Sequence, residues 1–364
     1  MNNKKFILIF IFIIFMLILS GCLDFFKISN NIVIYKEHPT AASYTITYGY
    51  KINCTGQGKY SISYDLDLPE VLNGGILSTK IHENNYKIVE LATYNNVIRW
   101  DFNSTNNAEY ELLVTAYVKA ESFIVSDLIG SNALTIKQIN SHYQDIVNQF
   151  CNSQSNETTT FIDPFDPDIL NTTLEIYTNA ETDNSFLITK ELFKWLKQNT
   201  RYKAHEQDDN EVQPAHTTFI RKTGDCDDLS FLYISMCRSL KIPSRFIKGF
   251  LVNENNIIQH VWVEVFVGGD IGNNGWIPVE CAGVSNDIEA EINQNFGVEN
   301  IEHLRLFLDD GSNDSLNISF SGITYKIFSD KRNIDIKFYS NVTNYLVKKT
   351  QQLIVDGNKN RYYN

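Results

Sequence analysis

Basic side chains are scarce in this sequence. Of its 364 residues, 31 are lysine or arginine and 43 are aspartate or glutamate, which gives a formal net charge of −12. Nucleic-acid binding calls for a basic face or stripe, so this balance argues against a nucleic-acid partner. It suits a soluble surface that is held near anionic lipids without adsorbing to them.

Cysteine is also rare, with six residues in the whole chain. The spacing of these cysteines matches no zinc motif and no dense disulfide framework, so we predict neither a metal site nor a cofactor. A single disulfide remains compatible with an exported protein, and the sequence does not say which cysteines would form it. The candidates are Cys54, Cys151, Cys237 and Cys281.

Long apolar runs are absent except for one at the N-terminus. Residues 6–19 are all apolar and follow two lysines. The run is shorter than the about 20 residues that span a membrane, but it fits the apolar region of a secretory signal. Leu19-Ser20-Gly21-Cys22 then resembles the lipobox of exported lipoproteins, in which the cysteine is lipidated. We therefore expect a signal peptide over 1–21 and a lipidated tether over 22–30, with an uncleaved signal anchor as the alternative.

The stretch from Gly224 to Leu240 predicts a largely buried helix. Gly224 and Asp225 give a turn and a capping residue, and small or apolar residues then recur at helical spacing: Cys226, Leu229, Tyr233, Met236, Cys237 and Leu240. Cys226 falls in the first turn, where unpaired N–H groups and the helix dipole favour a thiolate. Asp227 and Asp228 oppose a thiolate, so we expect both to point away from the thiol.

A second signal lies downstream, where residues 259–266 alternate as a strand. His260, Trp262 and Glu264 share one face of this strand. After a turn rich in Gly and Asn, residues 276–280 return as a hairpin partner and bring Glu280 next to His260. A cysteine, a histidine and a carboxylate in this order are the groups that nucleophilic acyl transfer needs.

These motifs resemble the core of the transglutaminase-like superfamily, in its microbial cysteine peptidase-like branch: GDCDDLSFLYISMCRSLKIPSRFIKGF, HVWVEVF and GWIPVE. The resemblance implies an α+β, papain-like core in which Cys226 is the nucleophile, His260 the base and Trp262 a neighbour of the cleft. Glu280 would stand where the family usually has aspartate. Because glutamate is one methylene longer, either the strand is displaced slightly or the carboxylate is held less rigidly.

Residues 212–218 resemble the segment that leads into the nucleophile helix in such proteins. A polar or aromatic side chain helps to hold the oxyanion there, and the resemblance implies Gln213 in that role, beside the backbone N–H of Cys226. Cys237 lies three helical turns after Cys226, so we predict that it is a core residue.

Strand-like alternation dominates residues 31–125 and predicts an all-β sandwich domain of immunoglobulin-like type before the core. We expect a helical and polar linker over 126–160 and the transglutaminase-like core over 161–340. In this interpretation strands at 303–308 and 316–328 extend the core sheet, and residues 341–364 form a weakly patterned tail.

The sequence thus predicts a cysteine hydrolase that is tethered to the extracytoplasmic face of the cell membrane. It would act on amide or peptide bonds of a peptide or protein substrate at the cell surface, through a thioester intermediate. Two alternatives remain: acyl transfer to an amine, as in transglutaminases, or a catalytically silent binding or scaffold module on the same fold.

Overall fold

The computed structural model describes residues 32–91, 95–151, 161–205, 212–283, 285–311 and 323–364. The fold is α+β, as predicted. Its helices are α1 Asp127–Gly130, α2 Ile136–His142, α3 Gln144–Cys151, α4 Pro167–Asn179, α5 Ser185–Asn199, α6 Ala215–Arg221, α7 Cys226–Ser239 and α8 Ile288–Asn295. None of the helices within these ranges is long and apolar enough to cross a membrane.

The strands follow in chain order. They are β1 Val33–Gly56, β2 Tyr60–Asp67, β3 Gly74–Ile81, β4 Tyr86–Leu91, β5 Asn95–Ser104, β6 Ala108–Glu121, β7 Phe123–Ile124, β8 Arg201–Tyr202, β9 Thr223–Gly224, β10 Ser244–Val252, β11 Ile257–Phe266, β12 Trp276–Val279, β13 Val298–Glu299, β14 His303–Leu308, β15 Ile323–Ile327, β16 Arg332–Val355 and β17 Arg361–Tyr363.

Strands β1–β6 and the C-terminal strands β15–β17 form the two sheets of a β-sandwich. One sheet has the order β17-β16-β1-β6-β3 and the other β15-β2-β5-β4. Alternate residues of β1 and β2 are buried between the sheets, as their sequence periodicity predicts. Tyr64 stacks on Trp100 with ring centroids 5.7 Å apart, so aromatic side chains supply much of this core.

The C-terminal segment corrects two predictions. Residues 341–364 are not a tail, since β16 pairs with β1 from Val33↔Val355 to Gly56↔Arg332. Strand β15 pairs with β2 of the sandwich rather than with the core sheet, and the start of the predicted strand 316–328 lies outside the described residues. Most β16 side chains are exposed or half-buried, so their polarity does not alternate and the pattern was weak.

Helix α7 packs against the sheet β12-β11-β10-β14 to form the second half of the molecule. All but its first two residues are buried, or nearly so, as the apolar periodicity predicts. Phe231 of α7 meets Phe246 of β10 edge to face at 5.6 Å. Helix α5 lies beside α7, and the Tyr233 hydroxyl donates to the Thr189 carbonyl oxygen at 2.9 Å.

The segment predicted as a linker is partly a packed layer. Helices α2 and α3 cover the end of the β11–β12 hairpin, where Tyr143 meets Phe266 at 4.9 Å and Phe150 meets Trp276 at 5.4 Å. Apolar residues on these short helices therefore bury against the core and do not form a free connection. The polar stretch 152–160 lies outside the described residues.

The hydrophobic core of the sandwich extends onto one face of the second half. Residues of β10 and β14 that face away from α7 pack among the sandwich side chains, and Phe250 meets Tyr48 edge to face at 5.4 Å. The backbone of Arg305 also exchanges hydrogen bonds with Glu70, at 2.8 and 2.9 Å. The sheet β12-β11-β10-β14 is thus held from both faces, by α7 on one and by the sandwich on the other.

Candidate active site

Cys226 is the first residue of α7, where the sequence places it. Asp225 caps the helix, and its backbone N–H donates to Asp228 Oδ2 at 3.2 Å in a capping box. Asp228 is fully buried and also lies 2.9 Å from Nε2 of His205. Asp228 therefore points away from the thiol, as expected, and serves to fix the N-terminus of the helix.

Gln213 belongs to the same network and is not presented to the thiol. Its backbone N–H and its side-chain Nε2 both donate to Asp228 at 2.7 Å, and its Oε1 accepts from Arg221 at 3.0 Å. The side chain is bound at both ends of the amide and is nearly buried. Its contacts therefore assign Gln213 to anchoring α7 and give no support to the predicted oxyanion role.

The thiol of Cys226 lies against strand β11. It accepts a hydrogen bond from the backbone of Val261, the residue after His260, and this bond lowers the pKa of Cys226. Burial raises that pKa more strongly, and the nearby carboxylates of Asp227 and Asp225 raise it further. The contacts therefore do not support the predicted thiolate-favouring position, because the thiol is buried and Asp227 lies beside it instead of pointing away.

The structure brings His260 and Glu280 together as the hairpin predicts. Strands β11 and β12 pair in antiparallel register, and His260 Nε2 lies 2.7 Å from Glu280 Oε2. The other oxygen, Oε1, accepts the backbone N–H of Ala282 at 2.7 Å. Burial would raise the pKa of Glu280, but His260 and His303 outweigh it and hold that pKa well below its usual range. Glu280 is therefore ionised.

His303, at the start of β14, is a member of the site that the sequence analysis missed. Its Nε2 lies 3.0 Å from the same Glu280 oxygen that contacts His260, and the two imidazole centroids are 5.9 Å apart. Gly249 of β10 lies beside this group, where a Cβ would come within 2.8 Å of the Trp262 ring. A histidine that opens a strand was the only sequence signal for this contact.

Tyr202 is the second residue that the sequence did not single out. Strand β8 pairs in parallel with β9, with Tyr202 opposite Gly224, which brings the tyrosine beside the N-terminus of α7. Burial raises the pKa of Tyr202, and so do the nearby groups Cys226, Asp225 and Glu280. Tyr202 is still 40% exposed, and its raised pKa means that the hydroxyl carries its proton near neutral pH.

Trp262 is a neighbour of the imidazole, as predicted, but it is buried beneath the site. Its ring stacks on His260 at 6.0 Å and 19°, and it meets His303 edge to face at 4.7 Å. The indole Nε1 donates to Glu299 at 3.0 Å. Glu299 in turn binds Arg305, so a buried ion pair fixes the tryptophan and, through it, the two imidazoles.

The predicted absence of a metal stays a prediction. His260, Glu280 and His303 converge closely enough to touch one ion. The hydrogen bonds described above already account for these contacts, so we assign no metal centre here. The described cysteines, Cys54, Cys151, Cys226, Cys237 and Cys281, all carry free thiols.

Comparison with known proteins agrees with this geometry. The model of the transglutaminase-like superfamily matches residues 172–281, which include Cys226, His260 and Glu280. A crystal structure of a candidate cysteine protease from Cytophaga hutchinsonii aligns with 92% of this chain and 100% of its own, at 15% identity and a TM-score of 0.51. At that identity the likeness shows the fold alone.

Two further structures are more distant. The periplasmic domain of TgpA from Pseudomonas aeruginosa covers 64% of this chain and 86% of its own, at 8% identity and a TM-score of 0.31. A candidate protease from Parabacteroides distasonis covers 78% and 65%, at 9% identity and a TM-score of 0.27. At these TM-scores, neither structure supports a conclusion about this chain. No curated protein matches the chain in sequence.

The chain therefore contains a transglutaminase-like domain over residues 172–281, as its motifs predict. This is a family of cysteine hydrolases and acyltransferases.

Proposed function

We propose that this protein is a cysteine hydrolase that cleaves amide or peptide bonds through a thioester on Cys226. The observation that carries the proposal is the 2.7 Å contact between His260 Nε2 and Glu280 Oε2. His260 lies on β11, and the backbone of the next residue, Val261, binds the Cys226 thiol. A nucleophile, an imidazole and an orienting carboxylate on adjoining elements are the parts that acyl transfer requires.

The contacts favour a particular sequence of proton transfers. Because Glu280 engages Nε2 of His260, Nδ1 is the ring nitrogen left to take the thiol proton as sulfur attacks the carbonyl carbon. The imidazolium then returns that proton to the leaving amine, and a thioester remains on Cys226. Water attacks the thioester, loses its proton to His260 and releases the acid, which restores the thiol.

The raised pKa of Cys226 favours deprotonation during the attack over a preformed thiolate. The developing oxyanion would find the backbone N–H of Cys226 at the helix N-terminus. Our candidate for a second donor is the hydroxyl of Tyr202, whose backbone lies beside the N-terminus of α7. Tyr202 thus takes the place that Gln213, held by Asp228 and Arg221, was expected to fill.

Hydrolysis is our first choice over transfer because water needs no dedicated subsite, whereas an amine must outcompete it. Transfer to an amine is the alternative on the same thioester. The catalytically silent alternative is favoured by one observation: the carboxylates of Asp225 and Asp227 raise the pKa of the thiol that has to react. These possibilities predict different products, so one experiment separates them.

The proposed setting is the extracytoplasmic face of the cell membrane, with a peptide or protein substrate at the cell surface. It rests on the apolar run at 6–19 and on Leu19-Ser20-Gly21-Cys22, which lie outside the described residues. A lipid on Cys22 would tether the folded body through the predicted tether, residues 22–30.

The test is cleavage of a mixed peptide library, followed by mass spectrometry with and without an added primary amine. Hydrolysis predicts new carboxyl termini, and transfer predicts amine adducts. Cys226→Ala should abolish both. Cys54→Ala, which removes a buried thiol from the sandwich core, is the matched control and should retain activity. A library that stays intact with the folded wild-type protein, across pH and with reductant present, would favour the silent module.

A further inference from the structure

Both ring nitrogens of His303 face hydrogen-bond acceptors. Nδ1 lies 2.9 Å from Asn300 Oδ1, and Nε2 lies 3.0 Å from Glu280 Oε2. The amide oxygen of Asn300 also accepts the backbone N–H of Glu302 at 2.9 Å, so the atom that meets Nδ1 is the oxygen and not the NH₂ group. Each nitrogen of His303 must therefore carry a proton to make its bond.

We propose that His303 is a permanently protonated positioning residue that holds Glu280 ionised, balances its charge and thereby sets the pH range in which Cys226 and His260 work. The inference rests on the proposed function for its effect on activity. The protonation state of His303 itself rests on the hydrogen bonds alone. His303 touches no reacting atom, so it acts on the reaction only through Glu280.

The surroundings of His303 supply the charge that keeps it protonated. Burial lowers the pKa of His303, but the hydrogen bond and charge of Glu280, with Glu299 and Glu302, outweigh burial and raise it. Glu280 contacts the ring from the end of β12, whereas Glu299 on β13 and Glu302 in the turn before β14 act on it through their charge. His260, on β11, is the other titratable ring beside it. The His303 side chain is only 3% exposed, so solvent screens these charges weakly.

A cation on His303 also affects the pKa of the Cys226 thiol. Glu280 is one of the carboxylates that raise the pKa of the thiol, and a permanent positive charge in contact with Glu280 offsets that effect. It also gives the longer acid a defined position, because one carboxylate oxygen is held between two imidazoles while the other is held by Ala282. His303 thus explains how a glutamate, one methylene longer than the aspartate usual in the family, is held rigidly in this site.

The test is the pH dependence of kcat/KM in His303→Gln, which keeps a side-chain N–H donor and removes the charge. Loss of a nearby cation raises the proton affinity of the groups around it, so the acidic limb of the profile should move to higher pH by about half a unit to one unit. A purely structural role would lower the whole profile without moving the limb. His142→Gln, at an exposed histidine, should leave the profile unchanged.

Two further measurements keep the inference testable if His303→Gln folds poorly or if no substrate is found. Nitrogen chemical shifts of the imidazoles, recorded on folded Cys226→Ala, should show His303 doubly protonated at about pH 8, above the ordinary histidine value of about 6.5. Asn300→Leu removes the acceptor at Nδ1 and should allow His303 to lose a proton at lower pH than in the parent. A neutral His303 in the parent protein near pH 7, or an unmoved acidic limb in folded His303→Gln, would overturn the proposal.

Discussion

His260 Nε2 lies 2.7 Å from Glu280 Oε2, although the family that this domain resembles usually has the shorter aspartate at this position. The extra methylene does not loosen the contact, because the second oxygen of Glu280 is held by the N–H of Ala282. The carboxylate is thus oriented from two sides before it meets the imidazole, and replacing it should have a measurable cost.

Replacing Glu280 tests the orientation of the imidazole. Glu280→Gln keeps a hydrogen-bonding side chain but removes the charge that stabilises an imidazolium and can present the wrong tautomer, so we expect kcat to fall by about 10²–10⁴. Glu280→Asp keeps the charge and shortens the reach, and we expect a smaller loss. Steady-state rates on a library-derived peptide measure both. Wild-type turnover in Glu280→Gln would mean that the carboxylate is only structural.

Asp227 should restrain the reactivity of the nucleophile. Burial and a hydrogen bond with Asp225 raise the pKa of Asp227 to about 7, so its negative charge beside the thiol appears as the pH rises through neutrality. We expect Asp227→Asn to lower the pKa of Cys226 and to speed alkylation by iodoacetamide by roughly threefold to tenfold at about pH 8. The gain should shrink below about pH 6, where Asp227 is already protonated.

Asp270→Asn, at an exposed turn, is the control for this change and should alkylate at the wild-type rate. An Asp227→Asn protein that alkylates more slowly than wild type at both pH values would contradict the electrostatic account of the thiol.

The C-terminal segment should be essential for stability. Arg361 is buried and donates to the carbonyl oxygens of Phe296 and Val125 at 2.6 Å each, which ties the last strand to the chain after α8 and after β7. Arg361→Ala leaves these oxygens without partners, and we expect a loss of about 2–4 kcal/mol in the free energy of unfolding. Urea denaturation measures it, with Lys348→Ala on the exposed face of β16 as control. Equal midpoints for the two variants would refute this role.

The anchor is tested on the native protein. We expect Cys22→Ser to release the protein from membranes or to leave its precursor unprocessed, because the lipidated thiol is then absent. Mass spectrometry of the native N-terminus should find a lipid-modified Cys22 as the first residue. An intact Met1 on a protein that fractionates as membrane-spanning would contradict the lipoprotein prediction.

The parts of the site that could be predicted are marked by patterns within short stretches of the sequence. The apolar positions of α7 recur at helical spacing, and the β11–β12 turn is marked by glycine and asparagine, so Cys226 and the pairing of His260 with Glu280 followed from short stretches. Cys237 was likewise placed correctly in the core, where it is fully buried.

The remaining parts depend on pairings between distant segments. His303 reaches Glu280 only because β14 pairs with β10, and Tyr202 meets the nucleophile helix only because β8 pairs with β9. The C-terminal strand could not be predicted for another reason. Lys348, Lys349 and Thr350 are successive exposed residues of β16, so apolar and polar residues do not alternate along this strand. The raised pKa of the thiol depends on its burial and on where Asp227 points, and helix-dipole reasoning determines neither.

The most direct test of the central claim, that Cys226 forms a thioester with the substrate, is rapid acid quenching during turnover followed by intact-mass and peptide analysis. We predict an acyl adduct on the peptide that contains Cys226, absent in Cys226→Ala and released by hydroxylamine. Turnover of the same substrate by folded Cys226→Ala at the wild-type rate, with no adduct on the wild-type protein, would contradict the account.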